Sequence, residues 1–120
     1  MVRIFLVEDN AIMRAHLRAA LEKPKDWTVV GEAVNGWEGV EEAQRLRPDL
    51  AIMDLNMPEL GGVEATREIV KAVPQCAVLV LTEHDSVPLV CEALEAGAKG
   101  FLPKSDIRQL VSTVRTTLAG

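Results

Sequence analysis

The sequence predicts an α/β domain in three layers, a parallel sheet of five strands with helices on both faces. Three observations predict it. Five short apolar runs recur, at residues 2–7, 28–34, 50–53, 76–81 and 99–102, and runs of this length bounded by turn signals read as buried strands. Each is followed by a stretch whose apolar residues recur at helical spacing. The two kinds of segment alternate throughout, which calls for parallel pairing and right-handed crossovers. Strand order 2-1-3-4-5, the flavodoxin-like arrangement, is the natural candidate.

The elements follow in order. The first run is broken only by Arg3, and Met13, Leu17, Ala20 and Leu21 then share one helical face. The second run is rich in β-branched residues. Asn35 can cap a helix that carries Trp37, Val40 and Ala43 inward. Leu50-Ala51-Ile52-Met53 forms the third strand, and Asn56 and Pro58 mark the turn out of it. Val63, Ile69, Val70 and Val73 are spaced as a helix that Pro74 ends. After the fourth run, Ser86 is an N-cap candidate, with Val87, Val90, Cys91 and Leu94 on one face and Gly97 as the C′ stop. The fifth strand is short. Ile107, Leu110, Val111, Val114 and Leu118 close the chain as an amphipathic helix.

The bulk numbers narrow the function classes. At 120 residues the chain is one domain of ordinary size. Apolar residues make up 48% and charged residues 26%, the mix of a soluble globular protein. Aromatics are only 3%, so the core must be aliphatic. A net charge of -5 argues against a nucleic-acid surface, which wants clustered Lys and Arg. No stretch approaches the roughly 20 apolar residues of a membrane span, and the N-terminus lacks a signal-peptide layout, so a cytoplasmic location is the default expectation. Cys76 and Cys91 have no metal-ligand spacing and read as reduced, structural thiols.

Asp54 stands out because it closes an apolar strand. A lone charge deep in a core costs several kcal/mol or shifts its pKa, whereas the carboxyl end of a strand is where open α/β sheets place their ligands. The other strand ends carry Glu8-Asp9, Thr82 and Lys104. In order 2-1-3-4-5, strands 1, 3, 4 and 5 are neighbours, so these side chains converge on one crevice. A Glu-Asp pair after a strand is commonly a solvated turn, but with a third acid beside it a bound cation relieves the repulsion. Few oxygen ligands suit Mg²⁺. Lys104 and Thr82 add an ammonium and a hydroxyl fit for a phosphate-sized anion. Metal, ammonium and hydroxyl around one carboxylate suit phosphoryl transfer to Asp54 as nucleophile.

Along its whole length the chain resembles the receiver domain of a two-component response regulator, with a CheY-like fold. The resemblance is carried by Val7-Glu8-Asp9, Met53-Asp54-Leu55-Asn56-Met57-Pro58, Leu81-Thr82 and Gly100-Phe101-Leu102-Pro103-Lys104. Gly31-Glu32-Ala33-Val34-Asn35-Gly36 and Ala93-Leu94-Glu95-Ala96-Gly97-Ala98 further resemble the NarL/FixJ subfamily. The resemblance implies that Asp54 accepts a phosphoryl group from a sensor histidine kinase. It implies that Asp9 and Asp54 bind Mg²⁺ directly, Glu8 through water and Asn56 through its backbone carbonyl. It assigns the phosphoryl oxygens to Thr82 and Lys104, and to Phe101 the switch-aromatic position whose rotamer follows Thr82. Three positions depart from the common pattern. Glu83 follows Thr82 where relatives usually carry Ala or Gly, Ser105 follows Lys104 where many carry Pro, and Pro103 instead precedes Lys104, which removes one backbone donor from the edge strand. His84 is placed to touch water near the acyl phosphate.

The resemblance therefore implies a signalling switch, not an enzyme beyond its own phosphotransfer and slow autodephosphorylation. Residues 1–120 make up the receiver domain, and no output domain is expected in this chain. The subfamily couples the surface of the fourth helix, fifth strand and fifth helix to a DNA-binding output domain and so to transcription. DNA contact would come only through that domain, a phosphorylation-dependent homodimer would use the same surface, and no membrane partner is implied. A stand-alone receiver acting by protein contact is the alternative. A Mg²⁺-dependent aspartyl-phosphate phosphatase is disfavoured, because that chemistry wants an Asp as general acid where Asn56 stands. A flavin carrier is disfavoured because Glu8-Asp9 would repel FMN phosphate.

Overall fold

The computed structural model describes residues 1–57, 60–83 and 87–120. Five strands form a single parallel sheet in the order β2-β1-β3-β4-β5: β1 (Val2–Val7), β2 (Trp27–Ala33), β3 (Leu50–Asp54), β4 (Ala77–Thr82) and β5 (Gly100–Pro103). Between and after them run α1 (Ala11–Leu21), α2 (Gly36–Leu46), α3 (Gly62–Ala72), α4 (Val87–Glu95) and α5 (Leu110–Ala119). The expected architecture and strand order are those observed, with element ends moved by a residue or so.

Alternation along the strands divides the core into two layers. Phe5, Val7, Ala51, Met53, Val78 and Val80 pack with Ala43 of α2, Ala65 and Ile69 of α3 and Ala93 of α4. Ile4, Leu6, Leu50, Ile52, Leu79, Leu81 and Leu102 pack with Leu17 and Leu21 of α1 and Leu110 and Val114 of α5. β3 is buried at every position, as a central parallel strand must be.

Several helix ends follow their chemistry. The Asn10 side chain caps α1 by accepting from Met13 N at 2.9 Å, and Asn35 caps α2 by accepting from Glu38 N at 2.9 Å. α3 ends at Ala72, before Pro74. Gly97, at φ +115°, takes the left-handed turn that stops α4. The proposed Ser86 cap lies outside the described residues. The last helix begins later than its apolar spacing suggests, because Lys104–Gln109 winds first as a tighter 3₁₀ segment.

Two helix faces differ from expectation. Trp37 is 64% exposed rather than inward. α2 approaches its neighbours on its glycine side, where a Cβ on Gly36 would lie 2.3 Å from the Leu60 carbonyl oxygen and one on Gly39 would meet Val7 at 3.1 Å. That close approach turns Trp37 to the outside. On α4 the packed residues are Leu89 and Ala93, so Val87, Leu94 and Cys91 are exposed. Cys91 is therefore not a buried structural thiol, whereas Cys76 is buried and its thiol is pushed up to about 12 by burial.

Candidate functional site

The sheet register assembles the site. Val7 pairs with Met53, so the next residues, Glu8 and Asp54, lie side by side at the strand ends. Asp54 pairs with Leu81, Leu81 pairs with Leu102, and Thr82 pairs with Pro103, so that Thr82 and Lys104 reach the same end one and two strands away. The backbone is tied here as well. Leu55 N donates to Leu81 O at 2.9 Å, and Glu8 N donates to Ala33 O at 3.0 Å.

Glu8 and Asp54 are 1% exposed, while Asp9 is exposed. One carboxylate oxygen from each of the three lies within 4.8 Å of the others. Lys104 Nζ stands 3.2 Å from Glu8 Oε1, 3.3 Å from Asp54 Oδ1 and 3.5 Å from Glu83 Oε1. Asp54 Oδ1 also accepts from Asn56 N at 2.9 Å, and Glu8 Oε2 accepts from Asn10 N at 3.1 Å. Asp54 Oδ2 is buried without a hydrogen-bond partner among the described residues. An orphaned carboxylate oxygen beside two further acids is a donor set that fits a hard, oxygen-seeking cation such as Mg²⁺.

The electrostatics agree with that fit. Burial pushes the Glu8 carboxyl up to about 7, with the neighbouring Asp54 charge adding to the rise and the Asn10 hydrogen bond and Lys104 opposing it. Burial disfavours the Lys104 ammonium, but the Asp54 and Glu8 carboxylates outweigh it and raise its pKa. Two buried acids thus share one partly buried cation, an arrangement left with surplus negative charge.

Of the residues singled out from sequence, Glu8, Asp9, Asp54 and Lys104 are brought together directly. Thr82 is buried at the end of β4, next to them in register. Phe101 is 48% exposed on β5, so it is not core packing. His84 lies outside the described residues. Two contributors were not foreseen. The Asn56 side chain accepts from Glu83 N at 3.1 Å, tying the β3 and β4 loops together. Arg14 donates through a terminal nitrogen to the Glu8 carbonyl at 2.9 Å and through Nε to Glu32 at 2.7 Å, clamping the β1 end to β2.

A three-layer doubly wound domain with an acidic, lysine-paired pocket at its strand ends defines the flavodoxin-like class of folds, and the comparisons fix which family within it. Residues 4–115 match the model of the response regulator receiver domain, and the chain belongs to that family. It is 37% identical over 121 residues to the response regulator UvrY of Escherichia coli (strain K12), covering 100% of this chain and 56% of that protein. It is 40% identical over 102 residues to the chemotaxis protein CheY of Thermotoga maritima, covering 85% and 84%. Among solved structures, a LuxR-family two-component response regulator from Aurantimonas sp. SI85-9A1 superposes with a TM-score of 0.94 at 36% identity, covering 100% of this chain and 86% of that one. The signal receiver domain of the putative response regulator NarL from Mycobacterium tuberculosis superposes at 0.90 with 30% identity, covering 99% and 97%. The chain spans about half the length of UvrY-type relatives. Similarity to NarL and LuxR-family regulators agrees with the NarL/FixJ-type resemblance. No helix among the described residues is long and apolar enough to cross a membrane.

Proposed function

We propose that this domain is a phosphorylation-dependent switch in which Asp54 accepts a phosphoryl group from the phosphohistidine of a sensor kinase. The observation that carries the reading is the buried, unpartnered Asp54 Oδ2 beside Glu8, Asp9 and Lys104. In the step, an Asp54 oxygen forms a bond to phosphorus while the P–N bond breaks and its electron pair goes to the imidazole nitrogen. A divalent cation such as Mg²⁺, held by Asp9 and Asp54 with Glu8 and the Asn56 carbonyl assisting, supplies charge neutralisation when bound. The chain's own groups do the rest. Lys104 moves from a carboxylate to a phosphoryl oxygen, Thr82 donates its hydroxyl to another, and the Asn56 amide keeps Asp54 oriented.

The phosphoryl group brings about -1.5 to -2 charges and three acceptor oxygens. Drawing Thr82 and Lys104 inward couples the pocket to β5 and the α4–β5–α5 surface, where Val87, Leu94 and Phe101 are exposed. Phe101 reports this change by its rotamer. In a longer, LuxR-like protein the surface would control a C-terminal DNA-binding domain and transcription, with a homodimer forming on phosphorylation. The setting is the cytoplasm, with no enzyme turnover beyond self-phosphorylation and slow dephosphorylation. Incubation with Mg²⁺ and acetyl phosphate, followed by intact mass, tests the acceptor. Wild type should gain one phosphoryl adduct and Asp54→Ala none; no adduct on wild type, or an equal one on the variant, would sink the reading.

A further inference from the structure

The Lys104 ammonium is surrounded by three carboxylates of unequal standing. Glu8 and Asp54 are buried and fixed by the Asn10 and Asn56 amides. The third, Glu83, reaches Lys104 at 3.5 Å from the outside, with its side chain 54% exposed. Its backbone is pinned, since Glu83 N donates to the Asn56 side chain at 3.1 Å while Asn56 N holds Asp54. The carboxylate is therefore free to swing, but its root is fixed at the rim of the pocket. A cavity of about 250 Å³ lined by Asn10, Ile12, Met13, His16, Glu83 and Lys104 opens at the same rim. Glu83 and Lys104 both border that cavity, so an anion entering there meets a negative group and a lysine that is already engaged.

We propose that Glu83 determines donor specificity: its carboxylate occupies Lys104 in the resting site and must be displaced by the incoming phosphoryl oxygens, which disfavours small, highly anionic phosphodonors. The proposal rests on Asp54 being the acceptor. With acetyl phosphate as donor, an Asp54 oxygen bonds to phosphorus, the P–O bond to the acetyl group breaks and acetate leaves with the electron pair. Lys104 exchanges the Glu83 oxygen for a phosphoryl oxygen during that step, and no other co-reactant is needed. A half-exposed ion pair is weak, so the penalty is modest, roughly two- to fivefold in rate. A protein donor that makes its own contacts elsewhere on the surface escapes much of it, whereas a small anion does not.

The test compares wild type, Glu83→Gln and Asp54→Ala with Mg²⁺ and either acetyl phosphate, a dianion, or phosphoramidate, which carries less negative charge, following the adduct by intact mass. Glu83 is exposed, so its substitution leaves the fold intact. Glu83→Gln is expected to accept from acetyl phosphate roughly two- to fivefold faster than wild type at low salt. The gain should be smaller with phosphoramidate and should shrink toward 1 M salt, where the screening length falls to about 3 Å. Equal rates for wild type and Glu83→Gln, or a gain the same for both donors and insensitive to salt, overturn the proposal while leaving Asp54 as acceptor. No adduct on wild type with either donor overturns both readings together.

Discussion

Lys104 Nζ stands 3.3 Å from Asp54 Oδ1, so the proposed acceptor is already paired with the cation that its phosphorylated form would use. Lys104 is 11% exposed and Asp54 1%. The pair is therefore poorly screened, and the ammonium is positioned to follow negative charge from a carboxylate oxygen to a phosphoryl oxygen. Lys104→Ala separates two tasks. Asp54 keeps its nucleophilic oxygens and acidic neighbours, so the phosphoryl adduct should still form in Mg²⁺ and acetyl phosphate. The α4–β5–α5 surface should stay in its resting form, because nothing on β5 is drawn inward. Intact mass reads the first outcome and the amide NMR shifts of α4 and β5 read the second. An adduct accompanied by wild-type shifts would refute the coupling role.

Glu8 and Asp54 are both buried and share one lysine, which leaves unrelieved negative charge in the metal-free protein. The Glu8 carboxyl, raised to about 7 mainly by burial, records that cost. Glu8→Gln should therefore raise metal-free stability near neutral pH by about 1–3 kcal/mol. The same change should weaken the further stabilisation conferred by Mg²⁺, because one acid of the donor set is gone. Thermal unfolding with and without MgCl₂ checks both. A less stable metal-free variant contradicts the account.

Glu32 lies between Arg14 and Arg18 and anchors the clamp on the Glu8 carbonyl. Burial pushes its carboxyl up, but the hydrogen bonds and charges of Arg18 and Arg14 outweigh burial and hold it below 4.5. The unfolded chain thus binds more protons at Glu32 than the folded one as pH falls below 4.5. Its contribution is present above that value and is lost as pH drops through the depressed folded value. Glu32→Gln should cost about 1 kcal/mol near pH 7, with the gap to wild type narrowing as pH falls through the depressed folded value. Urea denaturation across that range measures the gap, and a gap that persists in acid would assign the cost to packing instead.

The architecture was legible because period and length were unambiguous. A fully apolar run such as Leu50-Ala51-Ile52-Met53 fits a strand buried on both faces, and strand order then placed Glu8, Asp54 and Lys104 together. Helix faces were less legible where packing overrode hydrophobicity. Trp37 looked inward by residue type, but Gly36 and Gly39 let α2 approach too closely for it. On α4 the larger apolar residues Val87 and Leu94 are exposed, while the small Ala93 is packed. The Arg14 and Asn56 contacts were illegible, because each runs to a backbone group, the Glu8 carbonyl and the Glu83 amide, and a backbone partner leaves no mark in the residue types.

Gly62 makes the last link between local backbone and site. A Cβ there would lie 2.5 Å from the Asp54 carbonyl oxygen and 2.7 Å from Leu55 Cα, both backbone atoms that cannot rotate away. The start of α3 therefore rests directly on the Asp54–Leu55 peptide, which carries the proposed acceptor. Gly62→Ala forces either α3 outward or the Asp54–Leu55 peptide inward, at a cost of about 1–3 kcal/mol from overpacking. The second response would move the Asp54 carboxylate relative to Lys104. The variant should consequently lose both stability and rate of adduct formation, unlike Gly61→Ala one residue earlier, where a Cβ meets nothing within 4 Å. Urea unfolding and acetyl phosphate labelling of the two variants side by side decide it: equal behaviour would mean that the helix start and the acceptor are mechanically independent.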